Sequence, residues 1–309
     1  MAKGYDVTNL TNYVKENTDL LIRDVVLGSI EGDSIAKMRK QLGVKGKERL
    51  NYLNVDPTLQ AADGCGFNPQ GKTEFTARDV ETKRVKINDE FCDANLINYW
   101  MEYLVKIGAK KDAMPFEAEI FGQVVKGINK QMEKNVWQGN ATLGIKGLLE
   151  LADTGGADAA STINVAIAKG TSIYDAVQQV YMALPEELLD DEDTFIGISP
   201  ANFRKLMQEL VKLNYFHYAG PINENVKEFV FPGSNVKVRE IQGLIGKDND
   251  IYASTFKNLV YACDLLSDKE EIDAWYSQDN RTFRYVIEFN AGVTTLFPDA
   301  VVLGKIATV

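Results

Sequence analysis

Residues 135–151 read NVWQGNATLGIKGLLEL. Gly139 and Gly144 stand with four residues between them, the glycine spacing of a loop that cradles phosphate. Such a loop continues with Lys and then Ser or Thr, and it leads from a strand into a helix. Here Gly144 is followed by Ile145, Lys146 and Gly147, so the lysine falls one place late and no hydroxyl follows it. The element before the glycines is helical by its pattern. Phe116, Ile120, Val124, Ile128, Met132 and Val136 recur every four residues, with Phe121 and Val125 alongside. A helix that runs into the glycines offers its C-terminus, not the N-terminus that attracts anions. The stretch therefore predicts a corner. A helix covers about residues 112–138, with Asp112 as cap and Pro115 in its first turn. Gly139 or Asn140 takes the left-handed conformation that closes it. The chain then turns sharply into a strand at GIKGLLEL, and Lys146 is a surface lysine.

Downstream, the texture changes to alternating helices and strands. DTGGADAAS (153–161) reads as a flexible loop. SIYDAVQQVYMAL (172–184) is helical, and TFIGIS (194–199) is a buried strand. Ser199 and Pro200 form a strong helix start for residues 199–213. Strands follow at about 228–231, 235–241, 250–253, 259–263 and 270–276. Phe283, Tyr285, Ile287 and Phe289 alternate along a long strand, and a second strand lies at 300–305, beyond Pro298.

Upstream, residues 1–60 are polar. Leu20, Leu21, Val25, Val26 and Ile30 form one amphipathic stripe, so this segment reads as an arm that rests on another surface. GCGFNPQG (64–71) is turn chemistry. KTEFTARDVETKRVKINDEF (72–91) reads as two strands, about 73–78 and 82–88. A lone hairpin is marginal in water, and this one has little apolar surface, so it belongs on another chain. Leu96, Tyr99, Trp100, Tyr103, Leu104 and Ile107 have helical spacing.

Composition narrows the function. Apolar residues make up 45% of the 309, enough for a sizeable core, and no apolar run is long enough to span a membrane. Cys65, Cys92 and Cys263 are sparse and without a CxxC, as in a reduced compartment. The net charge of −10 argues against a protein that grips nucleic acid. The charge is uneven: residues 35–50 carry +5 through Lys37, Arg39, Lys40, Lys45, Lys47 and Arg49 against Glu48, leaving −15 elsewhere. A basic arm on an acidic body can dock on a copy of that body or face nucleic acid; a solvated helix face is the plain alternative. The single histidine, His217, excludes multi-His zinc sites, and no G-x-S-x-G elbow exists. The run PEELLDDEDTF (185–195) reads as a solvated loop. No catalytic constellation, cofactor site or metal site emerges.

The order of parts resembles the major capsid proteins of tailed bacteriophages with the HK97 fold. WQGNATLGIKGLL resembles the G…G…GL turn at the end of that family's spine helix. TFIGISPANFRKLMQEL is similar to the strand-then-helix of its A-domain, and FVFPGSNVKVRE to its G-x-x-V strand. RYVIEFNAGVTTLFPDAVVL resembles the closing P-domain strands. The resemblance implies an α+β fold. Its parts would be an N-terminal arm (1–60), an extended hairpin or E-loop (61–92), a peripheral P-domain (93–160 and 277–309) and an axial A-domain (161–276). It implies hexamers and pentamers in an icosahedral shell around double-stranded DNA that is enclosed without sequence-specific binding. Portal, scaffold and decoration proteins are the further partners it implies, with location in the virion after synthesis in host cytoplasm. The hairpin would lie across a neighbouring subunit, with Lys72, Arg78, Lys83, Arg84 and Lys86 paired to its acidic body, while segment 35–50 clasps an adjacent copy. An encapsulin-type compartment shares this fold, and a metal-dependent enzyme built on residues 186–193 is the alternative from a different class.

Overall fold

The computed structural model describes residues 7–27, 34–59, 70–92, 95, 116–213, 227–264 and 272–307. The helical pattern at 96–107, most of the turn at 64–71, Cys65, Asp112, Pro115 and His217 lie outside them.

The organising strand is β12 (Thr282–Thr295), whose alternation was legible. Phe283, Tyr285, Ile287 and Phe289 are all buried. Its residues 282–287 pair antiparallel with β11 (Ile272–Ser277), and its residues 282–291 with β4 (Lys83–Cys92). Its last five residues pair with β10 (Leu259–Cys263), which carries β1 (Arg39–Leu42) in parallel beyond it. Two helices cover this sheet. The helix entering the opening stretch is α3 (Phe116–Gln138), and its buried stripe is Phe121, Val125, Ile128, Met132 and Val136. That 4-3-4-4 spacing keeps one face inward, as a 3.6-residue period demands. Helix α1 (Val7–Leu27) buries Leu10, Val14, Leu21 and Val25 in the same core. The arm expected to rest on another surface rests, over this helix, on α3 and β11 of its own chain, with Leu21 and Val25 of the expected stripe buried and Leu20 exposed.

The second sheet has six strands in the order β5-β13-β9-β6-β8-β7. These are β5 (Ile163–Ile167), β6 (Thr194–Ile198), β7 (Glu228–Val230), β8 (Lys237–Glu240), β9 (Asp250–Thr255) and β13 (Val302–Ile306). Helices α5 (Ile173–Met182) and α7 (Pro200–Lys212) pack in its core. The Ser199 hydroxyl caps α7 by accepting the Asn202 N–H at 3.2 Å. It also donates to Asp248 Oδ1 at 2.6 Å, which ties the cap to the loop before β9. The two sheets exchange strands relative to the sequence grouping. The strand expected at 300–305 pairs with β5 and β9 rather than joining β12, and β10 pairs with β12.

A separate two-stranded ladder is the largest departure from expectation. Strand β2 (Lys47–Asp56) pairs over its full length with β3 (Lys72–Glu81). The strands read near 73–78 and 82–88 do form, but they do not pair with each other. Thr82 ends one and β4 leaves to join β12. The physical reason lies in Val85, which is buried in the core with the apolar face of β12, while Val80 packs with Val44, Leu50, Val260, Ala262 and Leu296. Segment 35–50 is accordingly not one helix face. Helix α2 (Ser34–Lys37) is one turn, and β1 and β2 follow.

The opening stretch is a corner, with one correction. Gly139 takes φ +79° and its N–H returns to Asn135 O at 2.8 Å, closing α3. Asn140 Oδ1 accepts the N–H groups of Thr142 and Leu143 at 3.0 and 3.3 Å, and Asn140 bridges to Ile145. After Gly147 the chain enters a helix, α4 (Leu148–Ala152), not a strand. Leu148, Leu149, Leu151 and Ala152 are all buried. A five-residue helix offers too few turns for periodicity to reveal it. Gly147 has an ordinary φ of −84°. Its need is close approach: an added Cβ would sit 2.0 Å from Gly139 N. Gly147→Ala is expected to destabilise the subunit by about 2 kcal/mol or more through overpacking against backbone. Urea unfolding of the unassembled protein measures it, and an unchanged midpoint would refute the close-approach reading.

Candidate assembly surface

The β2–β3 ladder presents two faces, since successive side chains point to opposite sides. One face is anchored to the body. Leu50 and Val80 are buried in the small cluster at its base. Tyr52 meets Phe297 edge-on at 4.7 Å. The Arg78 guanidinium donates to Asp158, which is buried and also accepts the Thr295 hydroxyl. Asp158 lies in the loop read as flexible, yet its backbone is fastened too: its carbonyl accepts from Thr162 N–H at 2.9 Å.

The other face is open. Leu53 and Phe75 are direct cross-strand partners there, and they are 53% and 87% exposed. Large apolar side chains scattered singly need no explanation; an aromatic and an aliphatic side by side on an otherwise unpartnered ladder do. Nearer the base, Lys47 pairs with Asp79 at 2.8 Å, and its hydrogen bond holds the Asp79 carboxyl below the usual carboxylate range.

The basic residues singled out by sequence divide into groups. Arg78 pairs with Asp158, Lys83 with Glu81, and Arg84 and Lys86 both with Glu288. These are partners within the chain. Lys72 is exposed at the start of β3. Arg39 and Lys40 lie on β1, Lys45 follows it and Arg49 is on the outer face of β2; all four are exposed and without an ion pair among the described residues. Lys37 leaves this group. Its ammonium lies 6.0 Å from the Phe256 ring centroid.

Lys146 is exposed and lines a cleft of about 220 Å³ with Lys47, Arg78, Lys83, Asp79 and Glu81. Lys47 and Lys83 are paired there with Asp79 and Glu81, and Lys146 has no ion pair among the described residues. The hydrogen bond from Lys83 holds the Glu81 carboxyl low, and Lys146 adds a smaller pull. The corner thus takes part in an ionic seam along the hairpin base, not in a phosphate loop.

The remaining candidates are bland. In the run 186–193, Glu186–Leu189 form a short helix, α6, and Lys257 bridges Asp191 and Asp193 at 3.1 and 3.0 Å. Among the described residues, no group of three or more His, Cys, Asp or Glu is placed to hold a metal ion. No described helix is long and apolar enough to cross a membrane. Cys92 is exposed and Cys263 is buried.

No protein-family model matches the sequence, and no curated protein matches it. Solved structures do. The chain is similar to one in the procapsid of satellite phage P4 that includes the size determination protein. The TM-score is 0.60 at 11% identity, over 99% of this chain and 93% of that one. A chain of the cyanophage P-SCSP1u capsid gives 0.54 at 12% identity, covering 93% and 94%. A chain of the empty GTA particle capsid gives 0.53 at 10%, covering 88% and 89%. The chain has a phage-capsid fold. The P4 match extends over 99% of this chain, so α1 and the β2–β3 hairpin fall within it as well as the two sheets.

Sequence reasoning missed Leu53, Phe75 and Asp158. Leu53 and Phe75 are 22 residues apart, and only the ladder makes them neighbours. Asp158 sits among glycines and alanines, where composition signals a loop and gives no hint of burial.

Proposed function

We propose that the protein is the major shell-forming subunit of a tailed phage, with the HK97-type arrangement of E-loop, spine helix, P-domain and A-domain. In this reading the β2–β3 hairpin is the E-loop, α3 the spine, the sheet around β12 the P-domain and the six-stranded sheet the A-domain. Subunits assemble into hexamers and pentamers that enclose double-stranded DNA, aided by separate scaffold and portal proteins. The observation that carries this is the hairpin: its base is locked to the body while Leu53 and Phe75 on its outer face have no cover within the described chain. A single chain gains nothing by displaying that pair. An array of copies gains roughly 1.5–3 kcal/mol for each such side chain buried. The exposed cations Arg39, Lys40, Lys45 and Arg49 are the proposed partners of acidic surface on neighbouring copies, since Arg78, Lys83, Arg84 and Lys86 are engaged internally. The negative net charge suits a container from which DNA must leave. Electron microscopy of the purified protein is expected to show capsomers or closed shells. A monomer that persists at every concentration and salt would end this reading.

A further inference from the structure

Four cations converge on one place outside the hairpin. Lys37 comes from α2, Lys227 precedes β7, and Lys237 and Arg239 lie on β8. The Lys37 ammonium and the Arg239 guanidinium sit 6.0 and 5.4 Å from the centroid of one ring, Phe256. That ring is itself stacked on Phe195 at 4.0 Å, so the platform is rigid. One carboxylate answers the group: Glu228 takes the Arg239 guanidinium at 2.7 Å. Glu240 is the next residue along the strand and is held by the Gln242 side chain. Arg239 Nε is buried without a hydrogen-bond partner among the described residues. Burial first, and then the Arg239 charge, lower the Lys37 ammonium below its ordinary range, with Lys237 and Lys227 adding to the effect. Holding like charges together costs stability in the isolated chain, and an arriving anion relieves that cost.

The same molecule carries the complementary surface. Segment 186–193 holds six carboxylates. Lys257 takes Asp191 and Asp193. Glu186, Glu187, Asp190 and Glu192 are exposed and have no ion pair among the described residues. Asp193 lies beside the Phe256 platform in its own chain, its carbonyl accepting the Phe256 N–H at 3.4 Å, but Lys257 takes its carboxylate. The four exposed acids make no ion pair with the cationic cluster among the described residues.

We propose that Lys37, Lys227, Lys237 and Arg239 form a docking surface for the acidic segment 186–193 of a second copy of this chain. The inference rests on the shell reading above, which brings copies into fixed contact. The carboxylate-rich segment 186–193 of the same protein is favoured as occupant over nucleic acid by charge count: four unpaired carboxylates meet a cluster with three cations in excess of Glu228. Opposed patches of this kind steer association and set register.

Charge reversal and mixing test it. Lys37→Glu/Lys237→Glu makes both patches acidic, and Glu186→Lys/Glu187→Lys/Asp190→Lys makes both basic. Each variant alone is expected to assemble at least about tenfold less than the wild type by light scattering and microscopy, and an equimolar mixture is expected to recover shells. Recovery on mixing also shows that both variants fold. Normal assembly of either variant alone overturns the proposal, as does a folded pair that stays inert when mixed. Normal shells with less enclosed nucleic acid from the lysine variant would assign the surface to DNA instead, and also overturn it. If a reversal variant loses its circular dichroism, Lys37→Gln/Lys237→Gln takes its place: its assembly must weaken and respond less to added salt than the wild type. A wild type that never assembles defeats the shell reading itself, a different outcome from variants that assemble like the wild type.

Discussion

Excising residues 53–75 and joining Tyr52 to Thr76 through an Asn-Gly turn is expected to leave a folded subunit that forms no shells. The cut is set by the ladder. Tyr52 and Thr76 are Cα partners, so a two-residue type I′ turn can close the shortened hairpin in register. Everything that anchors the base survives: Leu50 and Val80 in their cluster, Tyr52 against Phe297, and Arg78 on Asp158. What goes is the outer apolar pair with the segment beyond it. Removing residues 73–88 would be a different experiment, because it takes most of β4 out of the five-stranded sheet and the body with it. Assembly multiplies a small contact over every copy, so losing even a few kcal/mol per subunit is all-or-none at the level of the shell. Leu53→Ser/Phe75→Ser is the milder companion, which keeps the hairpin and should raise the concentration needed for shells by tenfold or more, about 1.4 kcal/mol. Circular dichroism and thermal unfolding establish that the body is intact; electron microscopy counts shells. Normal shells from the excised protein would show that the hairpin is not an intersubunit element.

What was legible from sequence is what is local. The alternation of Phe283, Tyr285, Ile287 and Phe289 announced β12, because each strand residue declares its face without reference to a partner. Ser199-Pro200 announced α7, since capping involves residues three apart. Helix α3 and its glycine stop were legible for the same reason. What was not legible depends on pairing. Nothing within residues 72–91 says that β3 belongs to β2 and β4 to β12; that choice is made by Val80 and Val85, which turn to different cores. The place of β13 beside β5 likewise spans well over a hundred residues of chain. The candidate surface suffers most, because it consists of such juxtapositions. Basic residues could be counted, but Arg78, Lys83, Arg84 and Lys86 could not be recognised as internally paired until Asp158, Glu81 and Glu288 were placed beside them. The cluster on Phe256 brings together Lys37 and Arg239, which stand far apart in the chain.

Arg78→Met is expected to cost the unassembled subunit about 3–5 kcal/mol, as large as any single change outside the apolar core. The asymmetry of the pair is the reason. Arg78 keeps 22% of its side chain exposed, whereas Asp158 keeps 2%. Deleting the arginine strands a carboxylate where water cannot reach it, with the Thr295 hydroxyl as its remaining side-chain donor. Deleting the carboxylate strands a guanidinium that can still turn to solvent, so Asp158→Asn should cost less than Arg78→Met. In the double variant Arg78→Met/Asp158→Asn no buried charge remains, and most of the loss should be recovered even though two polar partners have gone. A urea series on all three variants reads the order directly, and a double-mutant cycle gives the coupling. The effect must also reach the hairpin, since Arg78 is on the strand that carries Phe75 three residues before it. Freed from Asp158, the ladder keeps the Leu50–Val80 cluster, Tyr52 against Phe297 and the Gln41–Glu48 hydrogen bond at 3.2 Å but has lost its ionic anchor, so protease cleavage near the hairpin base should quicken in Arg78→Met and return toward wild type in the double variant. If Arg78→Met unfolds within about 0.5 kcal/mol of the wild type, Asp158 is solvated in solution and the hairpin has no ionic anchor.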